Sequence, residues 1–224
     1  MIHPATELRF IHPAIGYGVF ATRFIPKGTI LWALDEFDRV LSLDEVRALP
    51  DLLRTQVETY AYVDSSGSFI LCWDFGRYMN HSCEPTSRSV GEAFEIAVRD
   101  IHPGEQLTCE YGVLNMSGSF ACACETPSCR GTIGPADLAA HWPRWDEEAA
   151  EAFRAALTVD QPLLPYAKLG SEDRILAAAI REGRMVPLPS SQSYQAEAGL
   201  PASEHGGLWA VGLPDSVSER PAAR

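Results

Sequence analysis

Asn80-His81-Ser82-Cys83, inside the run Arg77-Tyr78-Met79-Asn80-His81-Ser82-Cys83-Glu84-Pro85, lines up an amide, an imidazole, a hydroxyl and a thiol. Further on stands Cys122-Ala123-Cys124, with Cys129 after four intervening residues. That second piece offers three thiolates, one fewer than the tetrahedral shell of a structural zinc site. If Cys83 supplies the fourth, a metal would staple the far segment onto the Asn-His segment. Free buried thiols are the plain alternative. Six cysteines would also suffice for three disulfides. The N-terminal Met1-Ile2-His3-Pro4-Ala5-Thr6-Glu7 lacks the basic-then-apolar order of a secretory signal, so thiolate ligands in an intracellular setting, cytoplasm or nucleus, are expected.

Outward from this stretch, residues 8 to about 133 read as short β-stretches broken by Gly, Pro and Asp. Gly18 to Thr22 and Thr29 to Ala33 flank the turn Ile25-Pro26-Lys27-Gly28. Tyr60 to Val63, Phe69 to Trp73, Phe94 to Val98 and Gln106 to Tyr111 are rich in β-branched and aromatic residues. One helix is predicted from Ser42 to about Thr59, opened by the capping-box pair Ser42 and Glu45 and disturbed by Pro50. After Gly134 the texture changes. Ala136 to Leu157 and Ser171 to Glu182 read as helices, the second with Ser171 as N-cap. These helices are compatible with packing on the domain, with dimerisation or with a partner. From Pro187 the chain turns rich in Ser, Pro, Gly and Ala and is expected to be a disordered tail.

Other polar motifs stand beside the cysteines. Gly16-Tyr17-Gly18 lets backbone approach a ligand while a ring covers it, although such a pair of glycines is more often a turn. Asn80-His81 suits the edge and amino group of a nucleoside, and equally suits a turn with satisfied polar side chains. Gly104-Glu105-Gln106-Leu107-Thr108-Cys109-Glu110-Tyr111-Gly112 sets a turn before a strand that ends in Tyr111, either a reactive hydroxyl or a packed core ring.

Taken together, these pieces resemble the SET-domain family of protein lysine methyltransferases. Gly16-Tyr17-Gly18 is similar to its first motif, and the Arg77 to Pro85 run to its Arg-Phe-x-Asn-His-Ser-Cys-x-Pro segment. Gly104 to Tyr111 is similar to its Gly-Glu-Glu-Leu-Thr-Phe-Asp-Tyr strand. Phe120-Ala121-Cys122-Ala123-Cys124 through Cys129-Arg130-Gly131 resembles its post-SET segment. The resemblance implies a mainly β fold with short helices, a β-clip of small curved sheets with a pseudoknot-like crossing. Residues 8–116 would be the SET domain, 117–134 the post-SET zinc segment, 135–186 a helical extension and 187–224 the tail.

The resemblance also implies S-adenosylmethionine on one face and a substrate lysine entering by a channel from the other. Gly16, Tyr17, Gly18, Asn80 and His81 would bind the cofactor and Tyr111 would be catalytic. Cys83, Cys122, Cys124 and Cys129 would hold a structural zinc. Cys109 stands where the family usually has Phe or Tyr, which leaves room for a di- or trimethylated product unless a neighbour fills it. Thr86 replaces an Asn that often follows the Pro. Cys72 is unassigned, most simply a small buried hydrophobe. A second channel tyrosine is Tyr60 or Tyr62. With no cysteine cluster upstream, a minimal enzyme is expected.

The formal net charge of -12 argues against gripping nucleic acid by its phosphates and fits a basic partner such as a Lys/Arg-rich protein substrate, or simply solubility. No apolar run approaches the ~20 residues that span a bilayer, so no membrane contact is expected. Two further readings stay in view: a SET-like module that binds basic peptides without catalysis, and an enzyme that methylates a non-protein amine.

Overall fold

A computed structural model describes residues 1–196. The chain opens with β1 (Thr6–His12), β2 (Gly16–Ala21), β3 (Ile30–Ala33) and β4 (Arg39–Leu41). Two short helices follow, α1 (Leu43–Ala48) and α2 (Asp51–Tyr60), then β5 (Ala61–Val63), β6 (Phe69–Leu71) and β7 (Asn80–His81). Next come β8 (Ser87–Val90), β9 (Phe94–Ala97), β10 (Gln106–Cys109), β11 (Phe120–Ala121) and β12 (Thr132–Ile133). The long helix α3 (Ala136–Ala156) and α4 (Ser171–Glu182) complete the set.

The strands form small sheets, the mainly β architecture expected. One has the order β1-β2-β10-β7, others β3-β9-β8 and β4-β6-β5, and β11 pairs with β12. In the first, β10 runs antiparallel to β2 and parallel to β7, with Thr108 opposite Asn80 and Cys109 opposite His81. The Ser82 N–H donates to the Cys109 carbonyl at 3.1 Å and the Thr86 N–H to the Thr108 carbonyl at 3.1 Å. The segment after the Asn-His pair is thereby laced to the strand that leads to Tyr111. Thr86 also explains its own departure from the family pattern. Its hydroxyl accepts the Thr108 N–H at 2.8 Å and lies 3.1 Å from the Thr108 carbonyl.

Local rules account for most boundaries. Ser42 and Glu45 form the reciprocal capping box, Ser42 N–H donating to the Glu45 carboxylate at 2.7 Å and Glu45 N–H to Ser42 Oγ at 3.3 Å. The single helix expected over 42–59 is two, because Leu49 before Pro50 adopts an extended conformation and α2 restarts with Pro50 as its cap. Tyr60 closes α2 instead of opening a strand, since the Ala61 N–H bonds back to the Val57 carbonyl. The N-cap of α4 is Gly170, one residue before Ser171. Buried Asp173 accepts the Gly170 N–H at 3.3 Å and the Glu92 N–H at 3.1 Å, tying the helix start to the β8–β9 turn.

The helices after Gly134 pack on the β domain. Phe153, Ala152 and Ala156 of α3 and Leu176 and Ile180 of α4 share a core with Ile30, Phe94 and Ile96 of the β3-β9-β8 sheet. A second core lies between the sheets around Val19, Leu31, Ile101 and Leu107, and a third under α1 and α2 around Leu41, Val57 and Phe69. Of the tail expected from Pro187, residues 187–196 fold back. Ser191–Tyr194 make a 3-10 turn whose Ser191 N–H donates to Asp146 of α3 at 2.9 Å. The expectation for 197–224 lies outside the described residues.

Phe153 is fully buried between helix and sheet. Phe153→Ala should therefore cost about 3–5 kcal/mol of stability, the usual penalty for a large core cavity. Urea unfolding measures this, and a loss below about 1 kcal/mol would mean that α3 is not integral to the domain.

Candidate active site

Gly18 lies in the middle of β2, where a side chain has no room. A Cβ there would stand 2.6 Å from Gln106 Nε2, 2.6 Å from Ile11 Cδ1 and 3.0 Å from Asn80 Nδ2. The missing side chain lets the Asn80 amide reach over β2 and donate to the Tyr17 carbonyl at 3.0 Å. Gly16 begins the strand at φ +81°, in the left-handed region. The Gly-Tyr-Gly motif and Asn80, far apart in sequence, thus meet edge to edge. Tyr17 is 47% exposed, its ring held edge-on by Phe10 at 5.6 Å and Tyr78 at 5.9 Å.

His81, beside Asn80 on β7, points the other way. Its Nδ1 accepts the Tyr111 N–H at 3.2 Å, which leaves the ring proton on Nε2, 3.5 Å from Cys83 Sγ. Burial lowers the imidazole to about 4 even with the Glu110 carboxylate close by, so the ring is neutral. A neutral His81 bridges the backbone of Tyr111 to the thiol cluster.

Tyr111 does not end the strand, as expected, but starts the 3-10 turn Tyr111–Val113. Glu110 is the cap, its carboxylate accepting the Gly112 N–H at 2.9 Å. The turn aims the phenol into a cavity of about 330 Å³, lined there also by Tyr62, Cys109 and Met79. The hydroxyl donates to the Met79 carbonyl at 2.8 Å, and burial raises its pKa far above the ordinary tyrosine value. It is therefore a protonated hydroxyl. A phenolate base is excluded near neutral pH. Tyr60 and Tyr62 both line the cavity, and Tyr62 stands edge-on to Trp32 at 5.8 Å. Cys72 and Cys109 are buried thiols of the same lining.

The cysteines converge. The Sγ atoms of Cys83, Cys122, Cys124 and Cys129 all lie within 4.8 Å of one another, and Cys83 and Cys122 are 3.8 Å apart. A tetrahedron with metal–sulfur bonds of about 2.3 Å has edges of about 3.8 Å, so the spacing suits a metal ion of zinc size. The Arg130 N–H donates to Cys83 Sγ at 3.3 Å. Burial raises the Cys83 and Cys122 thiols. At Cys124 burial also acts upward, yet hydrogen bonds from Thr126 and its neighbours outweigh it and bring the thiol to about 6.

A charge cluster that the motifs did not reveal joins these parts. Arg130 grips Glu110 through two bonds, Nη1 to Oε2 at 2.9 Å and Nη2 to Oε1 at 2.7 Å. Arg88 lies 3.6 Å from Glu110 and pairs with Glu148 of α3 at 2.7 Å. Both guanidinium groups stand near the Trp145 ring, 5.2 and 5.4 Å from its centre. Glu110 and Arg130 lie inside recognised motifs, so their neighbourhood was a signal. Arg88, Trp145 and Glu148 carried none, because their pairing spans the gap between β8 and a helix outside the resemblance.

Comparison with known proteins bears on this geometry. Residues 16–112 match the family model of the SET domain. The variant-silencing SET domain-containing protein of Plasmodium falciparum is 30% identical over 132 residues, covering 51% of this chain and 5% of that protein. Histone-lysine N-methyltransferase ash1 of Drosophila melanogaster is 30% identical over 146 residues, covering 59% of this chain and 6% of that protein. The chain thus spans a small fraction of the length of these relatives. The methyltransferase domain of human histone-lysine N-methyltransferase SETMAR aligns with a TM-score of 0.43 and 21% identity, covering 60% of this chain and 58% of that chain.

Arg130→Met removes both bonds to a carboxylate that is 1% exposed. The expected loss is about 3 kcal/mol, near the low end for a broken buried pair because Arg88 stays nearby. Denaturant titration is the measurement, and an unchanged midpoint would mean that the pair adds nothing to stability.

Proposed function

Residues 16–112 are a SET domain, and on that premise we propose that the protein is an S-adenosylmethionine-dependent methyltransferase acting on lysine side chains of a protein substrate. The observation that carries the reading is a convergence. A glycine-lined edge held by Asn80 and a cavity headed by the Tyr111 hydroxyl share the strand pair β7–β10. In this reading residues 8–116 make up the catalytic domain, 117–134 the post-SET segment and 135–186 a helical support.

S-adenosylmethionine, when bound, supplies an electrophilic methyl group on a sulfonium. The backbone of Gly16 to Gly18, the Tyr17 ring, Asn80 and the backbone of His81 would hold it. On the acceptor side, Tyr62, Cys109 and Met79 make an apolar lining that disfavours an ammonium and so lowers the pKa of an entering lysine. Only the neutral amine has the lone pair the displacement needs. The Tyr111 proton is committed to the Met79 carbonyl, so its oxygen can accept an N–H from that amine and turn the lone pair toward the methyl. Orientation is then the main catalytic contribution and electrostatics the smaller one. The acceptor proton leaves to solvent.

Zinc is the metal we assign to Cys83, Cys122, Cys124 and Cys129. Four thiolates close its shell, so its role is structural. It would hold the segment from Phe120 to Ile133 against His81 and Tyr111, whose rings lie 6.2 and 6.0 Å from Phe120. Thiolate ligands need a reducing compartment, which supports an intracellular setting, cytoplasm or nucleus. The net charge of -12 supports a basic protein substrate. Among the described residues no helix is long and apolar enough to cross a membrane.

Incubation with labelled cofactor and a protein extract, followed by mass spectrometry of the modified residue, tests the reading. Label on lysine supports it, label on small amines alone overturns it, and cofactor binding without transfer points to a non-catalytic module. Tyr111→Phe should cut turnover about 100-fold with cofactor affinity nearly unchanged, and full turnover would remove Tyr111 from the mechanism. The purified protein should hold about one equivalent of zinc. Chelation should lower activity before the far-ultraviolet dichroism of α3 is lost, whereas simultaneous loss would make the metal a requirement of the whole fold.

A further inference from the structure

The cavity does not end with the acceptor channel. Its lining runs on from Tyr62 and Tyr111 to Phe94 of β9, Ala149 of α3 and the segment from Met185 to Tyr194, a chamber whose last two walls lie beyond the residues that match the SET domain. Val186, Leu188 and Tyr194 form its outer wall. Asn115 clips this strap in place. Its Nδ2 donates to the Val63 carbonyl at 3.0 Å and to the Tyr194 carbonyl at 2.9 Å, and its Oδ1 accepts the Ala196 N–H at 2.9 Å. Asn115 holds φ +52°, a left-handed conformation that asparagine tolerates better than most residues. The clip therefore spans from β5, beside the channel, to the strap.

The chamber's chemistry selects its occupant. Its carboxylates are already engaged by the protein. Asp64 accepts the Ser66 and Ser68 N–H groups at 2.9 Å each, Glu92 the Ser65 N–H at 2.8 Å, and Asp146 the Ser191 N–H at 2.9 Å. Glu95 takes the hydroxyls of Ser87 and Ser89. Between these groups, Val90, Phe94, Ala149 and the strap leave a mainly apolar space. A bulky apolar side chain meets that condition.

We infer that the strap of residues 185–194 is a specificity-determining wall that seats a bulky apolar side chain next to the target lysine of the substrate. The inference rests on the lysine methyltransferase reading, because continuity with the Tyr111 channel is what makes the chamber a substrate subsite.

The test uses the full chain and synthetic lysine peptides of equal length and charge, with Leu, Phe or Gly on either side of the lysine. Methyl transfer is followed by mass spectrometry, and binding of fluorescein-labelled copies by anisotropy. The wild type should prefer Leu or Phe over Gly at one flank by roughly tenfold in both readouts, the range an apolar pocket supplies. In Leu188→Ala and in Tyr194→Ala that ratio should fall to about one, with melting curves checking that each variant is folded. A preference absent from the wild type, or intact in both variants, overturns the inference. Transfer without a flanking preference overturns the strap's role alone. A strap-dependent preference in binding without any transfer overturns the enzymatic reading and leaves the subsite standing. Neither binding nor transfer overturns both.

Discussion

The buried pair of Glu110 and Arg130 is the constraint on which the rest of the site depends. A carboxylate that is 1% exposed has lost its water, and its charge must be met by fixed partners. Arg130 meets it through two bonds and Arg88 adds a third contact. Each partner lies beside a part of the candidate site. Glu110 immediately precedes Tyr111, Arg130 follows Cys129 and offers its backbone N–H to Cys83, and Arg88 passes the charge on to Glu148 of α3. The end of β10, the cysteine-rich segment and the helical extension are therefore held to one another electrostatically. None of them can shift far without leaving a desolvated charge unpaired.

Around this charged knot, the two rings beside Glu110 are kept neutral. Burial lowers His81 to about 4 and raises Tyr111 well above neutrality, so both rings keep one protonation state through the physiological range. Each spends its polar atoms on the backbone: His81 Nδ1 receives the Tyr111 N–H, and the Tyr111 hydroxyl goes to Met79. The aromatic rings of His81, Tyr111 and Phe120 then pack against one another next to the four thiols. Order in the thiol cluster is thus felt at the phenol through one imidazole. In the proposed function, that short path would couple a structural metal to catalysis without the metal entering the reaction.

Legibility in the sequence followed the range of the forces involved. The Ser42–Glu45 capping box, the glycines of β2 and the cysteine spacing act over a few residues, and each was readable from the string of residues. Boundaries slipped where two local rules met, as at Pro50, which divides one apolar periodicity into two helices, and at Glu110, which caps a turn where a continued strand was expected. The segment 187–196 departs from its expectation for a different reason. Its Ser- and Pro-rich composition resembles that of free chain, yet Asn115 and Asp146 supply hydrogen bonds from residues 79 and 45 positions away. Composition does not register partners at that distance.

From its own order of residues the chain settled which chemical groups are present and which short geometries they prefer: an Asn-His pair, a tyrosine after a β-stretch, thiols at ligand spacing. Folding alone brought Cys83 to the other three thiols, turned Asn80 over Gly18, joined Glu110 to two arginines and walled the Tyr111 cavity with a segment from the far end of the described chain. The physical reason is that hydrogen bonds, ion pairs and apolar contacts depend on distance in space. Over separations of tens of residues, that distance is set by how the sheets and α3 pack, and no local pattern encodes it.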